Sequence, residues 1–231
     1  MQVLTQVAQQ PFSRATRPTS EQIAPDMLDS LHQFRTTLRL ARDKEIYLEG
    51  ANAEHCYRIV SGCVRTVILM EDGRRQIGEF LLPGDLFGVD ELDTHAFAAE
   101  AVSDVVLHRY PRRRVEAMAE GNVALTRHLR ELTLTRLRAA HQRLVLLGRK
   151  TATERLASFV LEQDRRVSAT GALLPLPMSR TDIADHLGLT VETVCRVLTH
   201  LKREGIVGIS RGGLQLHNRA ALRELACETR H

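Results

Sequence analysis

Between Pro111 and Pro175 the chain carries no proline, and that gap constrains the fold more than any other feature of its 231 residues. Proline breaks a helix interior because it lacks an amide hydrogen and its ring clashes with the preceding turn. A gap of this length, rich in Leu, Ala, Arg and Glu, is therefore predicted to be helical. Apolar residues recur in it at Leu125, Leu129, Leu132, Leu137, Ala140, Leu144 and Leu147. Most steps are three or four, the seam of a helix packed along another helix, although the step from Leu132 to Leu137 breaks a strict heptad. Two readings stand. The helix over residues 112–148 joins two copies of the chain along this seam, or it lies on its own domain.

Upstream the pattern is different. Residues 1–24 are polar, include Pro11 and Pro18 and show no sustained period, which predicts a loose arm. Residues 25–111 hold short β-branched or alternating runs at 45–48, 57–60, 64–69, 76–81 and 102–107. Gly50, Gly62, Gly73, Gly84 and Gly88 fall between them, and Asp72-Gly73 is a hairpin signal. Many short strands with regular turns predict an antiparallel barrel or roll, so the whole chain reads as α+β.

Composition removes several function classes. The formal net charge of +4 fits a nucleic-acid partner without requiring one, and the densest basic run, 109–150, is not the segment that reads as a DNA reader below. Cys56, Cys63, Cys195 and Cys227 form no CxxC pair, and the ten histidines show no HxxxH or HExxH spacing, so neither a metal nor a disulfide framework is predicted. Cys56 and Cys63 read as buried small hydrophobes, and His128 and His141 as surface or interface residues. No signal-like leader or apolar stretch of membrane-spanning length is present, which predicts a cytoplasmic protein. With no P-loop, no dinucleotide fingerprint and no nucleophile beside a base, catalysis is not expected and no cofactor is called for.

Gly148 marks a joint, and residues 149–231 read as a second unit. A helical period resumes over 153–166 through Leu156, Phe159, Val160 and Gln163. Then Ser179 is placed to cap a helix, with Asp182 three residues on and Ile183, Ala184 and Leu187 on one face, before Gly188 ends it. Thr190 caps a second helix whose buried stripe is Val194, Val197, Leu198 and Leu201. Val191, Glu192, Cys195 and Arg196 are left on or near the opposite face, in the first turns, where a recognition helix reads base edges. Arginine bonds guanine bidentately and a carboxylate accepts from the cytosine amino group, so Glu192 and Arg196, one turn apart, suit a G·C-containing element. Taken singly, each also fits a plainer role: Glu192 favoured by the helix dipole, Arg196 a solvated charge. Ser179, Thr190, Val191 and Thr193 support the reader or touch the DNA backbone. Downstream, runs at 206–209 and 214–217 flank Ser210-Arg211-Gly212-Gly213, a wing whose Arg211 can meet phosphate.

These residues resemble the Crp/Fnr superfamily of bacterial transcription regulators. The likeness is carried by Gly50, Tyr57-Arg58-Ile59-Val60-Ser61-Gly62, Leu82-Pro83-Gly84-Asp85-Leu86-Phe87-Gly88, Glu154-Arg155-Leu156-Ala157 and residues 187–196, in the family's order. It implies a cyclic-nucleotide-binding-like β-roll, a long dimerisation helix and a C-terminal winged helix-turn-helix. It also implies a homodimer on double-stranded DNA at an inverted-repeat operator, and contact with RNA polymerase through exposed loops such as 71–75 and 164–172.

Two departures narrow the subtype. Cyclic-AMP binders of the family hold the cyclic phosphate with an Arg-Ser pair, where this chain has Thr94-His95-Ala96-Phe97. Oxygen-sensing Fnr proteins carry an N-terminal cysteine cluster, and no cysteine here precedes Cys56. What remains resembles FixK-type regulators of microaerobic, respiratory or nitrogen-fixation genes. The alternative is a Crp-like regulator gated by an unidentified small ligand in the β-roll. Fnr-type recognition helices read TTGAT half-sites with Glu-x-x-Ser-Arg; here the pattern is Glu192-Thr193-Val194-Cys195-Arg196, with cysteine in place of serine. A thiol in the first turns of a helix that faces DNA suggests inactivation by oxidation of Cys195, and the alternative is a small residue merely tolerated there.

Overall fold

The computed structural model describes residues 31–89, 93–167 and 173–227; the arm expected at 1–24 lies outside them. The described chain opens with a 3-10 turn, His32–Phe34, and then eight strands: β1 Thr36–Leu40, β2 Glu45–Tyr47, β3 His55–Ser61, β4 Val64–Leu69, β5 Arg75–Leu81, β6 Leu86–Phe87, β7 Ala98–Ala101 and β8 Val105–Pro111. They form two antiparallel four-stranded sheets, ordered β1-β8-β3-β6 and β2-β7-β4-β5. Side chains alternate across each strand, so one face of each sheet is apolar. Tyr47, Tyr57, Ile59, Val64, Leu81, Phe87, Ala99, Ala101, Val105 and Leu107 from both sheets make a buried core.

The run expected over residues 102–107 is not one strand. Its apolar alternation continues through Val102, but the chain changes sheets there: β7 pairs with β2 and β4, β8 with β1 and β3. The crossing is stitched to Cys63, whose carbonyl accepts from the Val102 amide at 2.8 Å and whose amide donates to the Ser103 hydroxyl at 3.1 Å. Gly62 is required opposite it, because its φ is +90° and a Cβ would lie 2.3 Å from the Asp104 carbonyl oxygen. Strand β1, absent from the runs expected of the sequence, pairs with β8 along its whole length.

The helix expected over 112–148 is two helices, α1 Arg112–Gly121 and α2 Val123–Arg149. The break is local chemistry: Asn122 is an N-cap whose side-chain oxygen accepts from the Ala124 and Leu125 amides at 3.0 and 3.1 Å. Helix α2 runs 27 residues, about 40 Å. Its predicted seam divides in two. Leu125 is 1% exposed and, with Leu129 and Leu132, packs in or against a cluster of Leu31, Cys56, Leu86, Tyr110 and Val115 on its own roll. Those three leucines are therefore not a free seam for a second copy. Leu137 (51% exposed), Ala140 and Leu144 (71%) face outward, and Leu147 is half-buried near Gly188.

The rest is α3 Ala152–Val167, β9 Leu173–Pro175, α4 Arg180–Leu187, α5 Val191–Arg203, β10 Val207–Ser210, β11 Gly213–Leu216 and α6 Arg219–Leu225. Strands β10, β11 and β9 form a third antiparallel sheet in that order. Strand β9, not expected from the sequence, lies close enough to β11 that a Cβ on Gly213 would meet the Leu174 carbonyl at 2.2 Å. The core of this unit does not stop at its own edge. Cys63, Val67, Ile77, Phe80 and Val102 of the roll belong to the same buried cluster as Leu156, Phe159, Val160, Ile183 and Leu187.

Candidate nucleic-acid interface

Helices α4 and α5 are set by side-chain caps at both starts and a glycine between them. Ser179 and Asp182 form a reciprocal capping box: the Ser179 hydroxyl accepts from the Asp182 amide at 3.0 Å, and the Ser179 amide donates to the Asp182 carboxylate at 2.9 Å. Gly188, φ +60°, takes the left-handed turn that ends α4, and the Leu189 amide then closes on the Ala184 carbonyl at 3.0 Å. Thr190 caps α5, accepting from the Thr193 amide at 3.2 Å.

Val194, Val197, Leu198 and Leu201 of α5 are buried, and Glu192, Cys195 and Arg196 are exposed. Val191 is not on the outer face, as the sequence suggested, but half-buried against the core, because residue 191 lies one turn before buried Val194. The exposed polar groups bond locally. A bond from its own backbone amide, and then one from the Thr190 hydroxyl, hold the Glu192 carboxyl below its usual value and therefore ionised. Arg196 reaches Thr193 Oγ1 at 3.4 Å, and Thr193 Oγ1 lies 3.1 Å from that of Thr190. Arg211 is exposed in the turn between β10 and β11, beside Gly212 at φ +84°. The first turns of α5 and the short wing thus each present exposed charge.

Arginines from outside α4 and α5 tie this motif to the rest of the chain. Arg155 donates to the Leu147, Lys150 and Leu187 carbonyls at 2.8, 2.9 and 2.9 Å, gathering the C-terminal ends of α2 and α4, where helix carbonyls lack intrahelical partners. Arg143 donates to His186 Nδ1 at 2.9 Å. An arginine cannot accept, so that nitrogen carries no proton. Burial first, and the Arg143 charge second, hold His186 well below the ordinary histidine value. Arg65 and Arg75 of the roll meet Asp182, and Arg75 also meets Asp185. None of these roles was visible in the sequence except as an unexplained Glu154-Arg155-Leu156-Ala157 run; Arg65 and Asp182 are separated by 117 positions.

Cys56 and Cys63 are buried, with burial the leading cause that pushes both thiols up to about 12. Among the described residues no cluster of His, Cys, Asp or Glu is arranged to hold a metal, and no helix is long and apolar enough to cross a membrane.

Residues 37–122 match the cyclic nucleotide-binding domain family and residues 154–225 the Crp-like helix-turn-helix domain family. The chain is 46% identical over 190 residues to the nitrogen fixation regulation protein FixK of Azorhizobium caulinodans, covering 80% of this chain and 77% of that protein. It is 33% identical to the transcriptional activator protein FnrL of Cereibacter sphaeroides, over 79% of this chain and 76% of that one. The solved structure of FixK2 from Bradyrhizobium japonicum superposes with a TM-score of 0.81 at 44% identity, covering 85% of this chain and 99% of that one. With a β-roll, a winged helix-turn-helix and relatives of this similarity, the chain belongs to the Crp/Fnr family of transcription regulators, and FixK proteins are among its relatives.

Proposed function

We propose that this regulator is a FixK-type activator that binds a TTGAT-type inverted repeat as a homodimer and engages RNA polymerase there. The observation that carries the reading is the division of α5: four aliphatic residues buried, Glu192, Cys195 and Arg196 exposed in its first two turns. An ionised carboxylate and a guanidinium one turn apart can accept from cytosine and donate to guanine in the major groove. Arg211 on the wing supplies phosphate contact. The outward residues Leu137, Ala140 and Leu144 of α2 supply the dimer seam, and the relatives named FixK and FnrL are regulators of nitrogen fixation and a transcriptional activator.

The reading includes independence from a small effector. In the segment where cyclic-AMP receptors carry their phosphate clamp, His95 is buried with its ring stacked on Tyr47 at 3.6 Å, and Tyr57 and Phe87 continue the aromatic cluster. An interior filled by this chain's own rings has no demand for a nucleotide. Melting the protein with nucleotides and 2-oxoglutarate tests this, and a ligand that raises both melting temperature and operator affinity would replace it with the ligand-gated alternative.

Cys195, exposed between Glu192 and Arg196 on the reading face, fits a redox role. Peroxide converts a thiolate to a sulfenate with release of water, placing a bulkier polar group beside DNA. Gel shifts on a TTGAT inverted repeat at several salt concentrations test the whole reading. Specific binding should have a steep salt dependence, and peroxide should weaken it in the wild type but not in Cys195→Ser.

A further inference from the structure

We propose that Arg65, Arg75, Asp182 and Asp185 form a positioning clasp that holds the reader at one angle to the β-roll and thereby selects the spacing of the operator half-sites. The proposal rests on the DNA-binding reading above and assigns no base contact to these residues. Arg65 and Asp182 are each anchored within their own unit before they cross. On the roll side, Arg65 is held by Glu100 at 2.7 Å and by Asp43 at 3.3 Å, leaving Nη1 to reach Asp182 Oδ1 at 3.0 Å. On the reader side, Asp182 turns Oδ2 to the Ser179 amide and hydroxyl, so Oδ1 is the oxygen that receives both Arg65 and Arg75, the latter at 2.7 Å. One carboxylate therefore both starts α4 and ties it to the roll.

The second tie lies one turn further along α4. Arg75 Nε donates to Asp185 Oδ2, and the Gln76 side-chain amide donates to the Asp185 carbonyl at 2.7 Å. Two ties in successive turns fix the placement of α4 along its axis and its rotation about it. Helix α5 follows after Gly188, Leu189 and Thr190, so its direction is fixed with that of α4.

Arg166 of α3 adds an ion pair to Asp85 and a bond to the Phe80 carbonyl of the roll, and the apolar contact between the units is of another kind. Phe80 of β5 meets Phe159 and His186, with ring centroids 6.1 and 5.0 Å apart. Apolar contact is non-directional and tolerates sliding, whereas a buried ion pair gains little net stability over apolar packing but is satisfied in one geometry. Side chains of Arg65 and Asp182 are 8% and 2% exposed, so a shift of the reader would leave ions without partners in a nearly dry site. In a dimer whose half-sites lie about one helical turn apart, displacing each α5 by about 1.7 Å along the duplex changes the matching spacing by one base pair, about 3.4 Å.

The experiment uses the full chain, TTGAT inverted repeats whose centre is varied one base pair at a time, and an isolated half-site at low salt. The variants are Arg75→Glu, the neutral Arg75→Gln, and the exchange Arg75→Glu/Asp185→Arg. Amide hydrogen exchange in α4 is followed without DNA. Wild type should prefer one spacing over its neighbours by about tenfold, and Arg75→Glu should cut this to about threefold or less while half-site binding stays unchanged. Exchange in α4 should accelerate in Arg75→Glu, rise less in Arg75→Gln, and return toward wild type in the exchange variant together with the spacing preference. Unchanged spacing preference in Arg75→Glu, or an equal loss at every spacing and at the half-site, overturns the clasp. Should the wild type prefer no operator at all, the DNA-binding reading fails on its own, and unaltered α4 exchange in Arg75→Glu then separately overturns the clasp.

Discussion

Helices α4 and α5 are neighbours joined by three residues, yet they treat their polar side chains in opposite ways. On α4, Asp182 and His186 are buried and Asp185 half-buried, each bonded to an arginine of the roll or of α2. On α5, Glu192 and Arg196 are exposed and bond only to their own helix and its cap among the described residues. The first set is saturated inside the chain, and the second keeps donors and acceptors for something outside it. Two charged helices of one motif are thus separable into one bonded inward and one left open to the outside, a distinction made by partners rather than by residue type.

The severest challenge to that distinction is Asp182→Ala. It removes a cap and strands Arg65 in a buried site, so unfolding free energy should fall by about 3–5 kcal/mol in denaturant titrations. A loss below about 1 kcal/mol would mean that α4 is not held as described. Next, Leu125→Ala should destabilise by about 2–5 kcal/mol, while Leu144→Ala should leave protomer stability within about 0.5 kcal/mol and instead weaken self-association in sedimentation. Equal effects on folding would return Leu144 to the interior.

The reading helix should show the converse behaviour. Arg196→Ala is expected to lose about 1–3 kcal/mol of operator binding, measured by titration calorimetry, with no change in melting temperature. Acid then separates the helices again. Asp182 is subject to burial, which raises its pKa, but the Ser179 bonds and the Arg65 and Arg75 charges outweigh it and hold it low. Its contribution is complete above the unfolded carboxylate value and is lost as pH falls through the lower folded one. His186, also held low, stabilises fully above its unfolded value near 6.5 and progressively less below it. Stability should therefore decline by up to about 1.4 kcal/mol per pH unit below about 6.5. His186→Gln should flatten that slope between pH 6.5 and 5 in thermal melts. The smallest effect belongs to the wing: Arg211→Ala should lower the salt dependence of operator binding by about one counterion without altering base preference.

The readable parts of the chain were those whose cause is local. Ser179, Asp182, Gly188 and Thr190 define the starts and stop of α4 and α5 within a few residues, and the apolar spacing of Val194, Val197, Leu198 and Leu201 fixes which side of α5 is buried. Asn122 is equally local yet was passed over, a Gly-Asn break inside a run whose leucine spacing suggested continuity. Val191 and Leu125 were misjudged for the same reason as each other: periodicity gives a stripe but not what lies against it.

By itself, then, the order of residues determined the helices, turns and caps, because backbone propensity and capping act over one or two turns. It also determined the outward acid and guanidinium of α5 and the family pattern. Only the folded molecule decided that residues 102–107 cross between sheets, that the first half of the α2 seam rests on its own roll, and that Arg65 meets Asp182. Those outcomes depend on which surfaces the chain brings together over more than a hundred positions, and ion pairs and core contacts leave no periodic trace from which such a distance can be read.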